Sequence, residues 1–395
     1  MNILHVIPFF TPEQGGSVTS AYNQIRKLLE KRHKVTLLTT DFKLNDNSKY
    51  YIENLKKLGV NVMIMKCVFN TFSFFYSPNI KTWLKFNIKN YDVVHIHNLR
   101  SYQNNIVMKY AIMSNVPYIV QPHGSTTHIG KIYIRVLKLI YDKFWGNKII
   151  NNASGIIALN LFELKQIINH FKSDKILNKI VIIPNGIDLD QYEFPIKIGE
   201  FRKKYSINNG KKIILYLGRI HWIKGIDILI KAYYLLQKKI CYKDAVLVIA
   251  GPDEGYLDKL NRMVDLLDLS DNVVFTGPLY GQDKLAAYFD SQIYVLPSRY
   301  ETFPNTILEA YALKKAVVAS NVCGIKELVI HMKTGLLFRP RNEVALAYAM
   351  YMLLNDDQMI VNMGKEGRIM IENHFTLEKT IIKLKDFYLN IKNNN

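Results

Sequence analysis

Cysteine is scarce in this 395-residue chain: there are three, at 67, 241 and 323, with no paired spacing. A disulfide framework or a cysteine-based zinc site is thereby excluded, and a reducing cytoplasm is the expected compartment. Long apolar runs are missing as well. Although 49% of the residues are hydrophobic, no uninterrupted stretch approaches a membrane span. The opening MNILHVIPFF carries neither a basic leader nor a small-residue cleavage site and reads as a first strand. Neither the G-x-G-x-x-G of nicotinamide enzymes nor the G-x-x-x-x-G-K-[ST] of phosphate-loop NTPases occurs. Zinc-finger spacings, RNP-like motifs and basic heptads are absent too, which argues against nucleic acid as a partner.

Acid is in short supply, 33 Asp+Glu against 52 Lys+Arg, for a net charge of +19. The imbalance is uneven: residues 1–190 hold 24 basic and 11 acidic side chains, the remainder 28 and 22. A half this basic points to an anionic surface, and with nucleic acid disfavoured an acidic membrane is the candidate.

What is present is an alternation of short β-rich runs with longer helical ones. Strands are expected at Ile3–Ile7, Lys34–Thr39, Asn61–Met65, Asp92–His97, Tyr118–Gln121, Gly155–Ala158 and Ile180–Ile183. A second series opens at 211–219 and continues through 245–251, 272–277, 293–298, 316–320 and 335–338. Apolar strands alternating with helices imply parallel sheets covered on both faces. The fold class is therefore α/β, with two Rossmann-like domains over 1–190 and 211–370, a polar linker over 191–210, and a closing helix over 371–395 that would pack back on the first domain. In such sheets ligands bind beyond the carboxyl ends of the strands, which directs attention to the strand-end motifs facing a central cleft.

Gly15-Gly16 follows the first strand and precedes a helix, where glycine lets backbone approach a phosphate or sugar; an ordinary turn is the competing reading. Arg219 and Lys224 lie beyond another strand. Cations near a helix start oppose its dipole, and two together make sense if they hold a diphosphate. His123 ends a strand and precedes Gly124, a position suited to bonding a substrate. The His95-x-His97 spacing lacks a third metal ligand in the sequence. Asp188-Leu189-Asp190 resembles a metal-binding D-x-D only superficially, with Asp188 better read as capping a turn, so no metal is assigned. SRYETFPNTILEAYAL at 298–313 places Glu301 on a loop and Glu309 in the first turn of a helix for which Asn305 is the expected N-cap.

The set GG (15–16), HG (123–124), PNGID (184–188), LGR…KG (217–225), AGPDEG (250–255), FTG (275–277) and PSRYETFPNTILEAYALKKAVVAS (297–320) resembles the family 4 retaining glycosyltransferases over nearly the whole chain. The resemblance implies the GT-B fold, an N-terminal acceptor-binding domain, a C-terminal nucleotide-sugar domain, and a nucleotide-diphospho-sugar co-substrate with no cofactor or essential metal. By the same resemblance Arg219 and Lys224 match the pair that neutralises the diphosphate, and Glu309 the residue bonding the ribose. Glu301 matches the residue bonding donor-sugar hydroxyls, and His123 the histidine near the reacting sugar. Gly16, beside Gly15, matches the glycine approaching the diphosphate, and Asp253 joins the donor-binding set. Where many relatives carry Gly-Phe-Gly, this chain has Thr302-Phe303-Pro304; Pro304 removes one donor and leaves the amides of Thr302, Phe303, Asn305 and Thr306.

The implied reaction is glycosyl transfer with retention, the departing phosphate taking the acceptor's proton. Two segments bear on a glycan or lipid-linked acceptor. VFNTFSFFYSPN (68–79) offers Phe74 and Phe75, and KIYIRVLKLIYDKFWGNK (131–148) places Lys131, Arg135 and Lys138 on one stripe beside an apolar surface, a combination suited to an anionic leaflet. Peripheral attachment to the inner face of the cell membrane is the resulting expectation. Two alternatives stand at this point: a nucleotide-sugar 2-epimerase of the same fold, and a non-catalytic nucleotide-binding assembly factor.

Overall fold

The computed structural model describes residues 1–11, 15–71, 74–127, 132–193 and 198–394. The chain divides into two units, one of Met1–Gly186 with Leu377–Asn395 and one of Ile187–Thr376.

The first unit holds β1 (Asn2–Val6), β2 (Lys34–Thr40), β3 (Asn61–Met65), β4 (Phe69–Thr71), β5 (Phe74–Tyr76), β6 (Val93–His97), β7 (Tyr118–Gln121), β8 (Gly155–Ala158) and β9 (Ile180–Ile182). Seven of these form a parallel sheet in the order β3-β2-β1-β6-β7-β8-β9. Side chains alternate between its faces with period two. Leu4, Val6, Val94 and Ile96 enter one core, while Ile3, Ile7, Val93 and Ile119 enter the other. The second core is covered by the helices Gly16–Glu30 and Leu377–Asn393, the latter contributing Leu377, Ile381, Leu384, Tyr388 and Ile391.

The second unit holds β10 (Lys212–Leu217), β11 (Ala245–Ala250), β12 (Val273–Gly277), β13 (Ile293–Leu296), β14 (Ala316–Ser320) and β15 (Gly335–Phe338). They form a parallel sheet in the order β12-β11-β10-β13-β14-β15. Both units are therefore doubly wound α/β, with the strand order reversing between β1 and β6 and between β10 and β13. Those reversals are where such sheets bind ligands.

Three features differ from the sequence reading. Residues 191–210 are not a free linker throughout: Phe201, in the helix Glu200–Lys204, is buried, and the Gly199 amide donates to Asp290 Oδ1 at 2.9 Å. The return to the first unit comes after Thr376 and not at 371, which lies inside the helix Asp357–His374. The aromatic stretch after β3 is an antiparallel hairpin, β4 with β5.

Candidate active site

Lys224 ends a short 3-10 turn, Trp222–Lys224, immediately before Gly225 and the helix Ile226–Lys238. Gly225 has φ 69°, and a Cβ there would run into the carbonyl of Pro297, just past β13. The missing side chain lets the turn close on that loop. Lys224 Nζ then donates to Glu301 Oε1 at 2.5 Å, and Ser298 Oγ donates to the same oxygen at 2.9 Å. Glu301 Oε2 has no hydrogen-bond partner among the described residues, although the side chain is 11% exposed. Arg299 braces the arrangement with a bidentate pair to Asp227 (2.8 and 2.7 Å), a bond to the Trp222 carbonyl, and its guanidinium over the Trp222 ring. A planar fork held at three points leaves little freedom to the loop that carries Glu301.

Arg219 leaves the end of β10 and pairs with Glu254 Oε2 at 2.6 Å. The Tyr216 hydroxyl, inside the sheet, donates to the Arg219 carbonyl at 2.9 Å and fixes the backbone from which the guanidinium projects. Asp253 lies on the adjoining loop, where its Oδ1 accepts the amides of Gly255, Tyr256 and Leu257 at 2.9–3.0 Å. These bonds hold its carboxyl below the usual range and make it a turn-forming residue.

Glu309 is the fifth residue of the helix Asn305–Ala312, so it lies in the second turn and not the first. Asn305 is not the N-cap either. Pro304 holds that position in an extended conformation, and its carbonyl accepts the Ile307 amide at 3.1 Å. Glu309 Oε1 accepts from Lys284 Nζ at 2.9 Å, and its Oε2 lies 3.2 Å from the Tyr288 hydroxyl. Burial, then the Glu309 carboxylate, push the Tyr288 hydroxyl well above its ordinary pKa and keep it a donor. Thr306 Oγ1 accepts from Tyr294 at 2.7 Å. Thr302 and Phe303 are buried, and the Phe303 ring rests 5.9 Å from that of Phe375. Arg219, Lys224, Glu301 and Glu309 thus come from the carboxyl side of one sheet around its β10/β13 reversal. Glu254, Ser298, Lys284 and Tyr288 complete the site and were not singled out from the sequence.

In the first unit, Gly15 precedes the helix that opens at Gly16 and has φ 110°. His123 begins the turn after β7 with φ 52°, a left-handed conformation that non-glycine residues adopt at a cost. What holds it there is Glu163. This fully buried carboxylate accepts the Gly124 amide at 2.5 Å and the Leu159 amide at 2.8 Å. Burial, partly opposed by those two amides, raises its pKa to about 7. Arg100 supports the same turn by donating to the carbonyls of Ser125 and Thr126 while paired with the buried Asp142 at 2.5 Å.

His5 on β1, in register with His95 on β6, is a third histidine beside the HxH pair that the spacing alone does not reveal. Ligand-capable nitrogens of His5, His95 and His97 lie within 4.8 Å of one another, all buried. Two of them, His5 Nδ1 and His97 Nε2, are joined by a 2.9 Å hydrogen bond. Asp188 accepts the Gln191 side-chain amide at 3.2 Å, and Asp190 is exposed.

Comparison with known proteins identifies the family. The family described as Glycosyltransferase Family 4 matches residues 14–191, and Glycosyl transferases group 1 matches residues 197–370. The chain belongs to the family 4 glycosyltransferases of GT-B fold. An uncharacterized glycosyltransferase of Methanocaldococcus jannaschii is 28% identical over 377 residues, covering 89% of each chain. The N-acetyl-alpha-D-glucosaminyl L-malate synthase of Bacillus anthracis is 24% identical, with 96% of this chain and 95% of the relative covered. Among solved structures, Anabaena HepE in complex with UDP-glucose superposes with a TM-score of 0.78 at 20% identity, covering 98% of both chains.

The surface residues of this glycosyltransferase differ from the sequence reading. Phe75 is 5% exposed, its ring packed against Phe9 and Phe42, so it is no anchor, while Phe74, on the other face of its strand, is half-buried and lies edge-on to Tyr102. Lys138 does not share an outward stripe with Arg135. It is half-buried, and its Nζ donates to the Thr127 carbonyl at 3.3 Å. Lys131 lies outside the described residues. The apolar side of the helix Ile132–Tyr141 is nonetheless open: Ile132 is 71%, Val136 47% and Ile140 46% exposed, followed by Phe144 and Trp145 in the next turn. Among the described residues no helix is long and apolar enough to cross a membrane.

Proposed function

We propose that this glycosyltransferase moves a sugar, with retention of anomeric configuration, from a nucleoside-diphosphate donor of the UDP-sugar class to a glycan or lipid-linked acceptor. The observation that carries the reading is the placement of Arg219, Lys224 and Glu301 at the strand reversal of the second unit. The chemical demand is to stabilise a departing diphosphate while positive charge builds on the sugar. Two fixed cations beyond the strand ends meet that demand without solvent having to reorganise. They supply the neutralisation that a divalent ion would otherwise give, so the reading includes independence from metal. Glu301, held by Lys224 and Ser298 through one oxygen, offers the other to donor-sugar hydroxyls; Glu309 is the ribose partner. The departing phosphate accepts the acceptor's proton on the face it vacates, so retention needs no separate protein base. HepE, a structural relative, is solved with UDP-glucose, which supports the donor class.

The open apolar face of Ile132–Tyr141, beside Arg135 and Lys143 in a unit rich in positive charge, supports peripheral attachment to an anionic membrane and a lipid-linked acceptor. The test of the donor reading is a panel of nucleotide sugars. At least one UDP-sugar should raise the melting temperature and be turned over with EDTA present. Stabilisation by none of them removes the reading, and manganese-dependent rescue after EDTA removes its metal-independent part. Epimerised product formed without any acceptor would replace transfer by epimerisation.

A further inference from the structure

His5, His95 and His97 project from adjacent strands onto the face of the first sheet that the helices Gly16–Glu30 and Leu377–Asn393 cover. Three rings there join end to end. His5 Nδ1 lies 2.9 Å from His97 Nε2, and His97 Nδ1 lies 2.9 Å from His123 Nε2, with successive rings stacked at 5.2 Å. His95 is outside this chain; its Nδ1 is bonded to the Tyr388 hydroxyl at 2.6 Å. Both ends of the chain, His5 Nε2 and His123 Nδ1, are buried atoms with no hydrogen-bond partner among the described residues.

Burial lowers the pKa of His5 and His123 to about 3 and that of His97 well below its ordinary value, so all three rings are neutral at physiological pH. A neutral imidazole has one N–H and one lone pair. His97 spends both on imidazoles, which forces the whole chain to run in a single direction. In one direction every Nδ1 carries the proton, leaving a bare lone pair at His5 and an N–H at His123. In the other every Nε2 carries it, leaving an N–H stranded at His5. Each direction leaves one N–H at a buried end, so the favoured one puts it where a ligand can accept it, and His5 is fully enclosed in the core. His123 instead stands at the carboxyl end of β7, on the sheet edge where ligands bind.

We infer that His5 and His97 are positioning residues that fix His123 as an Nδ1–H donor toward an oxygen of the nucleotide-sugar substrate. The ligand named here rests on the transferase reading above; the direction of the chain rests only on some ligand oxygen meeting His123. The unusual left-handed backbone at His123, pinned by Glu163 through Gly124, serves the same end by aiming the ring.

The experiment is long-range proton–nitrogen NMR of the full chain labelled with 15N-histidine, which reads each tautomer directly. His5, His97 and His123 should all carry the proton on Nδ1, and UDP-glucose should shift the His123 Nδ1–H signal. In His97→Phe, His123 should lose its fixed tautomer and kcat should fall roughly 10-fold or more with KM little changed. His95→Phe, a core change of the same size outside the chain, should leave the His123 tautomer intact. Nε2 protonation of His123 in the native protein overturns the inference, and so does an unchanged tautomer in His97→Phe. If His97→Phe does not fold, the native tautomers decide alone. Zinc binding that shifts the His5 and His95 nitrogens would make the cluster a metal site and also overturn it. Should no nucleotide sugar bind while the tautomers are as stated, the transferase reading fails and the chain direction stands.

Discussion

At Gly225 the absence of a side chain decides where a cation ends up. The glycine lets the 222–224 turn abut Pro297, and only then does Lys224 reach Glu301. If electrostatic stabilisation of the leaving group dominates, Arg219→Ala and Lys224→Ala should each lower turnover on the order of 100-fold with the fold intact. Near-normal rates in both variants would dismiss the donor assignment. Glu163 invites a different measurement. Its pKa is about 7 when folded against 4.5 ordinarily, so the folded state keeps a proton that the unfolded chain releases. Stability is therefore highest below the lower value and declines as pH rises through the window between the two, by on the order of 3 kcal/mol. Glu163→Gln cannot titrate, so its unfolding free energy, followed by urea denaturation, should lack this component. Traces that stay parallel to the native protein across the window would show that Glu163 does not titrate there.

Among the described elements, the helix Ile132–Tyr141 leaves its apolar side exposed, with none of its residues buried. Arg135 on it and Lys143 in the turn that follows are exposed cations, and each cation near an anionic leaflet contributes about 1 kcal/mol. Charge reversal at both should weaken co-sedimentation with anionic liposomes mainly at low salt. Val136→Ser with Ile140→Ser should weaken it at every salt concentration. Binding that ignores both variants, or is absent altogether, would point to a soluble acceptor. The same helix shows how far local pattern reaches. Strands were legible because buried parallel strands are short apolar runs, and Arg219, Lys224, Glu301 and Glu309 stood out at strand ends. Glu254, Lys284 and Glu163 did not, because a carboxylate's or an amine's partner is chosen by tertiary proximity that spacing does not encode. Phe75 was misread because aromatic content says nothing about which way a hairpin faces. Lys138 was misread because a long side chain can fold back to a carbonyl. The Asn305 cap was misplaced because Pro304 already held that position.

Across the whole molecule, the first unit is made from two stretches of sequence and the second from the stretch between them. Leu377, Ile381, Leu384, Tyr388 and Ile391 all belong to the first unit's core. At roughly 1.5–3 kcal/mol for each large apolar side chain, their removal would cost about as much as a domain's entire stability. A chain ending at Thr376 should lose amide protection throughout β1, β2 and β6 while β10, β11 and β13 stay protected. Undiminished protection in the first sheet would contradict this. The same connectivity imposes a schedule on synthesis. The ribosome makes the first sheet earliest, yet Tyr388, which closes its histidine-bearing face, appears only after the whole second unit has been made. The second unit is therefore the first to have all of its sequence in hand, and the strands of the first must wait, incompletely covered, until translation has passed through the whole of that unit.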